Sequence, residues 1–335
     1  LHLVGVSLNQ TRGAASGMYN ADRKGLAATI SARGMELGRD RFLPLAQMRD
    51  PGTLGRWIAI SGAAASPGAG SYTSRGWAVL LFMVGARLGF WLRPRQEGAA
   101  QEEPARDGLL RRAGRWLGTT KFGLLASEAL ASFAGPCQDW WYLSDGGHFE
   151  NTGVHALLQR QLDFIVLADC GADPRYEYDD LENLVRKARI DFDCDIEFCT
   201  PEDAAAMGAV ASEHLAVLAP EDLAKNYTAR GVLLARICYN RSNPARRRLG
   251  TLLVVKPALH VSLDADVLAY ARRHPLFPQQ PTSDQFFDEA QWESYHRLGE
   301  DMGRALRAEW LEKVHGWNMP APRPGNVLEP LRPPP

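Results

Sequence analysis

Residues 76–92, GWAVLLFMVGARLGFWL, form the most hydrophobic run of the chain and decide what kind of protein it can be. As one continuous helix at about 1.5 Å per residue they would reach roughly 25 Å, short of a bilayer core of about 30 Å. Arg87 and the glycines at 76, 85 and 89 weaken a membrane span further. The run therefore reads as a buried or interfacial helix of a globular protein. With 335 residues, 45% of them hydrophobic, the chain can build a sizeable core as one large domain or two ordinary ones.

Charge singles out no partner. Lys plus Arg number 38 against 39 for Asp plus Glu, a net charge of −1. So even a balance gives no electrostatic argument for nucleic acid as partner, and none for a polybasic membrane anchor; no nucleic-acid partner is expected. The short run Arg246-Arg247-Arg248 reads as solvated surface. Five cysteines, an odd number without a secretory leader, point to a reducing compartment and no disulfide framework. Cys194 and Cys199 in CDIEFC form no C-x-x-C, which argues against structural zinc. The expected location is cytoplasmic or peripheral to a membrane.

The chain opens LHLVGVSLN, a buried strand that needs neighbours on both sides. The expectation is therefore a fragment or processed product, with structure preceding Leu1. Residues 10–52 show no sustained period. Thr53 is placed to cap a helix that Pro67-Gly68 ends. The charged, Gly/Pro-bearing stretch 93–115 reads as an exposed, mobile insertion. TGVHALLQRQ reads as a helix capped by Asn151 or Thr152, and DFIVLADCGADP as the central strand of a parallel sheet. DLENLVRKARIDF is an amphipathic helix, DIEF an edge strand, and GVLLARICY and LGTLLVVKP two further strands. A last helix is expected over roughly 284–312, with Phe286, Phe287, Trp292 and Tyr295 as an aromatic face. A Pro-rich disordered tail follows. The alternation of strands and helices predicts an α/β fold with helices on both faces of the sheet.

Chemistry concentrates in WYLSDGGHFENTG, residues 141–153. Asp145 follows an aromatic and apolar run, so it sits where a strand leaves the core. A carboxylate there is partly desolvated, a setting that fits it to take up a proton. Gly146 and Gly147 allow positive φ and close approach of another segment. Asp-Gly alone is also an ordinary turn. His148 and Glu150 match the H-x-E of zinc deaminases, yet the required P-C-x-x-C does not follow. A metal site on Asp145, His148, Glu150 and Asp169 is thus a distant reading. His148, Glu150 and Asn151 suit a structural role, bonding the loop and capping the next helix. No G-x-S-x-G elbow occurs, and Ser7, Ser61 and Ser66 read as structural. With neither G-x-G-x-x-G after a strand nor a Walker A sequence, no cofactor is expected.

Several blocks in order resemble the C-terminal half of patatin-like acyl hydrolases, more narrowly of large bacterial patatin-related proteins. AISGAAASPGAG is similar to the family's small-residue helix, and YLSDGGHFENTG to its Asp-Gly-Gly/Ala motif. FIVLADCGADP, VRKARIDFDCDIEF and HPLFPQQPTSDQFFDEAQWESYHRLGE resemble the segments that follow. The resemblance covers residues 1–318, with an insertion at about 72–135 and the tail 319–335 outside it. It implies a three-layer α/β/α sandwich around a central, mostly parallel sheet. It also implies a Ser–Asp dyad acting on a lipid or other acyl ester, with a membrane surface as one meeting place. By position Asp145 would be the base, supported by Gly146, Gly147 and Asn151, and no histidine would take part. The oxyanion loop and nucleophile would lie in an N-terminal half that this sequence lacks, leaving the isolated chain inactive. A non-catalytic lipid- or protein-binding module is the alternative.

Overall fold

The computed structural model describes residues 1–12, 22–39, 41–48, 50–94, 120–206, 215–223, 225 and 229–315. Most of the charged stretch 93–115 and the whole Pro-rich tail lie outside them. The chain divides into two compact units, Leu1–Gln159 and a second beginning at Arg160.

The first unit is built on six strands: β1 (Val4–Asn9), β2 (Gly25–Ser31), β3 (Gly34–Leu37), β4 (Arg41–Pro44), β5 (Phe90–Leu92) and β6 (Trp141–Asp145). Their order is β4-β3-β2-β1-β6-β5, and every neighbouring pair is antiparallel. This overturns the expected sandwich around a central, mostly parallel sheet. Strand β1 does have neighbours on both sides, but they are β2 and β6 of this chain. The segment without a readable period forms β2 to β4. GLAATIS and GMEL carry Gly, Ala and Glu where a strand signal needs branched or aromatic residues, so local propensity hides them.

One face of this sheet carries Val4, Val6, Leu8, Ile30, Leu37 and Leu143, packed against Trp57 and Ile60 of helix Leu54–Ser61. Each such buried side chain contributes roughly 1.5–3 kcal/mol. Thr53 caps the helix as expected, accepting from Arg56 N at 3.3 Å. The helix ends at Ser61, well before Pro67.

The apolar run is not one helix. Helix Arg75–Met83 starts at Ser74, whose side chain accepts from Trp77 N, and closes in a Schellman arrangement. Gly85, at φ 75°, donates to Phe82 O, and Ala86 N donates to Leu81 O at 2.9 Å. The chain then turns into β5. Arg87, the charge in the run, grips the buried carboxylate of Glu128 through Nε at 2.6 Å and a second nitrogen at 3.0 Å. Trp91 Nε1 donates to the same group at 2.8 Å.

The second unit contains β7 (Phe164–Ala168), β8 (Asp195–Phe198), β9 (Ala216–Val217), β10 (Gly231–Tyr239) and β11 (Arg248–Val255). The main path runs β7-β11-β10-β8, with β9 parallel to β10. It is mixed: β7 is parallel to β11, while β10 is antiparallel to both β11 and β8. The FIVLA strand, expected at the centre of a parallel sheet, lies at the edge. Its Ile165 and Leu167 are buried and its Val166 exposed, so an unbroken apolar run misreports a one-sided strand. The expected 284–312 helix is two, Glu289–Ala305 and Ala308–His315, whose Met302, Ala305, Trp310 and Val314 pack with Leu234 and Leu253 of the sheet. Phe286 and Phe287 precede the first of these, and Phe286 is 93% exposed.

His260 in this unit makes stability depend on pH. Its Nε2 meets Asp301 Oδ2 at 2.9 Å, and Arg230 Nε donates to the same carboxylate oxygen at 2.6 Å. Its Nδ1 is buried with no hydrogen-bond partner among the described residues. Burial holds the imidazole below its ordinary 6.5; Asp301 opposes that and Arg230 reinforces it. A base depressed by folding stabilises the fold fully above its unfolded value, and that contribution is lost as pH falls below it. The urea midpoint is therefore expected to drop between pH 7 and 5, and His260→Gln to flatten that slope. An equal slope in the variant would contradict the assignment.

Candidate functional site

The alternation of β1 divides its residues between two environments. Val4, Val6 and Leu8 enter the core, so Gly5, Ser7 and Asn9 face the other way. In β6, Trp141 and Leu143 enter the core and Tyr142 and Ser144 face with Asn9. Antiparallel pairing sets Ser7 opposite Ser144 and Val6 opposite Asp145. The result is a buried polar face, overlain by the small-residue stretch that follows helix Leu54–Ser61.

Asp145 is the last residue of β6 and is half-buried. Its Oδ1 accepts from Gly147 N at 2.7 Å, which fixes the carboxylate in an Asx turn. Its Oδ2 has no hydrogen-bond partner among the described residues. Neither Gly146 nor Gly147 needs positive φ. Both are glycine because of space: a Cβ at Gly146 would sit 2.6 Å from the Gly5 carbonyl oxygen, and one at Gly147 2.6 Å from Asn151 Oδ1. Asn151 thus packs beside the turn that carries Asp145.

The companions of Asp145 are structural. Glu150 is buried; its Oε1 accepts from Thr152 N at 2.8 Å and from the Thr152 hydroxyl at 2.6 Å, and its Oε2 accepts from His155 N at 3.3 Å. It caps the helix Val154–Leu158, assisted by Thr152, whose Oγ1 accepts from Val154 N. His148 Nδ1 lies 2.9 Å from Ser144 Oγ. Burial holds this imidazole below 6.5, outweighing the opposing charge of Asp145 and the influence of the Ala64 carbonyl.

Sequence reasoning missed three participants: Ser144, Asn9 and Gly70. Asn9 Nδ2 donates to Ser144 Oγ at 2.8 Å, and Asn9 Oδ1 accepts from Gly70 N at 3.0 Å. The signal for Asn9 was present in the polar alternation of LHLVGVSLN, but not its meeting with Gly70, 61 residues away. Ser144 and His148 form a pair that could suggest a nucleophile and its base. Ser144 is fully buried, however, and its Oγ already accepts from Asn9. Ser7 is equally buried, and Ser61 Oγ donates to the Gly5 carbonyl at 2.6 Å. None is presented on a strand-to-helix elbow.

A metal reading finds no support. No group of three or more His, Cys, Asp or Glu among the described residues could hold an ion. Both oxygens of Glu150 are engaged. Asp169 belongs to the second unit, where Gly171 N and Lys256 Nζ occupy its two oxygens. Compared with protein-family models, with curated proteins and with solved structures, the chain matches none.

Proposed function

We propose that the first unit carries the base of an ester-cleaving site, Asp145, serving a serine on a segment outside this sequence. The observation that supports this is the state of the carboxylate. One oxygen is locked by Gly147 N and the other has no hydrogen-bond partner among the described residues, so the group is oriented at a strand exit with an oxygen left to accept a proton. The serine would attack an acyl ester while Asp145 takes its proton. No G-x-S-x-G occurs in residues 1–335, so on this reading the nucleophile would come from a segment such as the patatin resemblance implies.

A fluorophosphonate probe on native material tests this. Labelling is expected on a serine outside residues 1–335, in a species that includes this chain. Asp145→Asn should lower its ester hydrolysis on the order of 10²–10⁴-fold. The isolated chain should show background hydrolysis only. Label on Ser7, Ser61 or Ser144 would sink the reading.

One observation favours the second reading, a lipid-binding module. Helices Arg75–Met83 and Lys121–Ala129 expose Trp77, Leu80, Met83 and Phe122, with Met83 79% and Phe122 82% exposed. Their cations Arg75 and Lys121 stand at the helix starts, while their one acid, Glu128, is buried on Arg87. Such a face suits an anionic lipid surface, and among the described residues no helix is long and apolar enough to cross a membrane. Leu80→Asp with Met83→Asp is expected to abolish co-sedimentation with phosphatidylserine vesicles. Equal binding of variant and wild type would remove this face from the account.

A further inference from the structure

A chain of hydrogen bonds leads from the turn after Asp145 to Gly70. Gly70 N donates to Asn9 Oδ1 and Asn9 Nδ2 to Ser144 Oγ, and Ser144 Oγ meets His148 Nδ1 at 2.9 Å. Three side chains, from β1, β6 and the turn after Asp145, thus hold the Gly70 end of the backbone stretch Ala64–Gly70. Contact is close enough that a Cβ on Gly70 would lie 2.2 Å from the His148 carbonyl oxygen, and one on Gly68 2.7 Å from Asn9 Cγ.

The chain has a direction. Ser144 Oγ already accepts from Asn9 Nδ2, so the proton of this buried hydroxyl goes to His148 Nδ1, which a neutral imidazole offers as an acceptor. Protonation would place an N–H on Nδ1, facing a hydroxyl whose proton then has no acceptor in the chain. Ser144 and Asn9 are fully buried, so water cannot easily repair the mismatch.

We propose that His148 is a positioning residue whose neutral form latches the Ala64–Gly70 stretch over the Asp145 turn, and that its protonation releases the stretch. The idea rests on Asp145 being the working carboxylate, since the latch acts on the site only through that turn. Asp145 is the charged group that opposes the effect of burial on His148. Strand β1 contributes no titratable side chain, β6 contributes Tyr142 besides Asp145, and the Gly70–Tyr72 turn contributes Tyr72, which is exposed. Of the cations beside β2, Lys24 Nζ donates to Thr73 O, and the Arg23 guanidinium lies over the Phe149 ring.

The test is amide hydrogen exchange of residues 64–72 in the full chain from pH 8 to 5, beside the NMR titration of the His148 ring. Protection factors, with the intrinsic pH dependence of exchange divided out, are expected to fall on the order of tenfold at Gly70 as His148 protonates. His148→Gln, whose amide oxygen can accept from Ser144, should keep protection at pH 8 and lose its pH dependence. Protection that is flat across the His148 titration in the wild type would overturn the latch, as would pH dependence surviving in His148→Gln. Exchange needs no catalysis, so these outcomes are independent of the ester reading. That reading fails separately, if Asp145→Asn leaves hydrolysis intact.

Discussion

Gly70→Ala is expected to destabilise the first unit by about 2–5 kcal/mol. Two costs combine. Gly70 has φ 52°, a left-handed conformation that costs an L-residue roughly 1–2 kcal/mol. The added Cβ would also lie 2.2 Å from the His148 carbonyl oxygen, a backbone atom that cannot rotate away. Forcing such an overlap costs about 1–3 kcal/mol. Gly38→Ala separates the two, because Gly38 has φ 54° but nothing within 4 Å of the new carbon. It should show the strain alone. Urea midpoints of the two variants measure the difference, and equal losses would mean that the close approach at Gly70 carries no weight. Against a total stability of about 5–15 kcal/mol, the loss at Gly70 alone can unfold the unit.

Lys256→Met should cost the second unit on the order of 3–5 kcal/mol. Lys256 and Asp169 each follow directly on the last paired residues of β11 and β7, Val255 and Ala168, so the parallel register sets them side by side. Lys256 Nζ lies 2.9 Å from Asp169 Oδ2 and 3.7 Å from Asp173 Oδ2, with lysine and Asp169 only 2% and 6% exposed. Asp173 in turn accepts from Glu177 N and Tyr178 N, and so shapes the loop before helix Asp179–Phe192. Removing the cation leaves a carboxylate buried without its counter-charge, the costly way to break such a pair. Lys256→Met with Asp169→Leu removes both charges and should recover much of the loss, which a double-mutant cycle reads directly. Strict additivity would show that the two groups are not coupled.

Legibility differed between local and distant features. The start of helix Leu54–Ser61 was readable because Thr53 satisfies a donor three residues on. The strands GVLLARICY and LGTLLVVKP were readable because their apolar runs are strong. GLAATIS was not, since its residues become strand through the pairing of Val4 with Ile30 and Leu8 with Leu26, not through their own preference. FIVLA misled for the opposite reason: apolar residues also occupy the outward face of an edge strand. Asp145 stood out through its glycines, but the reason for those glycines was half visible. The sequence suggested unusual backbone angles or close approach, and it is close approach, to the Gly5 carbonyl and Asn151, that excludes a Cβ.

What this sequence determined by itself is short-range: where caps, turns and strong strands fall, that residues 76–92 are too short and too interrupted to span a bilayer, and that Asp145 ends a buried strand. Those follow from neighbours within a few residues, where steric and hydrogen-bonding rules act without knowledge of the fold. Tertiary structure decided the rest. An antiparallel sheet arises because β1 finds β2 and β6, and an isolated strand carries no instruction about the direction of its partners. Only that pairing turns Ser7, Asn9 and Ser144 into one polar face, and only the return of Ala64–Gly70 brings Gly70 N to Asn9. Hydrogen bonds between groups 61 and 135 residues apart have no local signal, since they exist once the core on the other side of the sheet has brought them together.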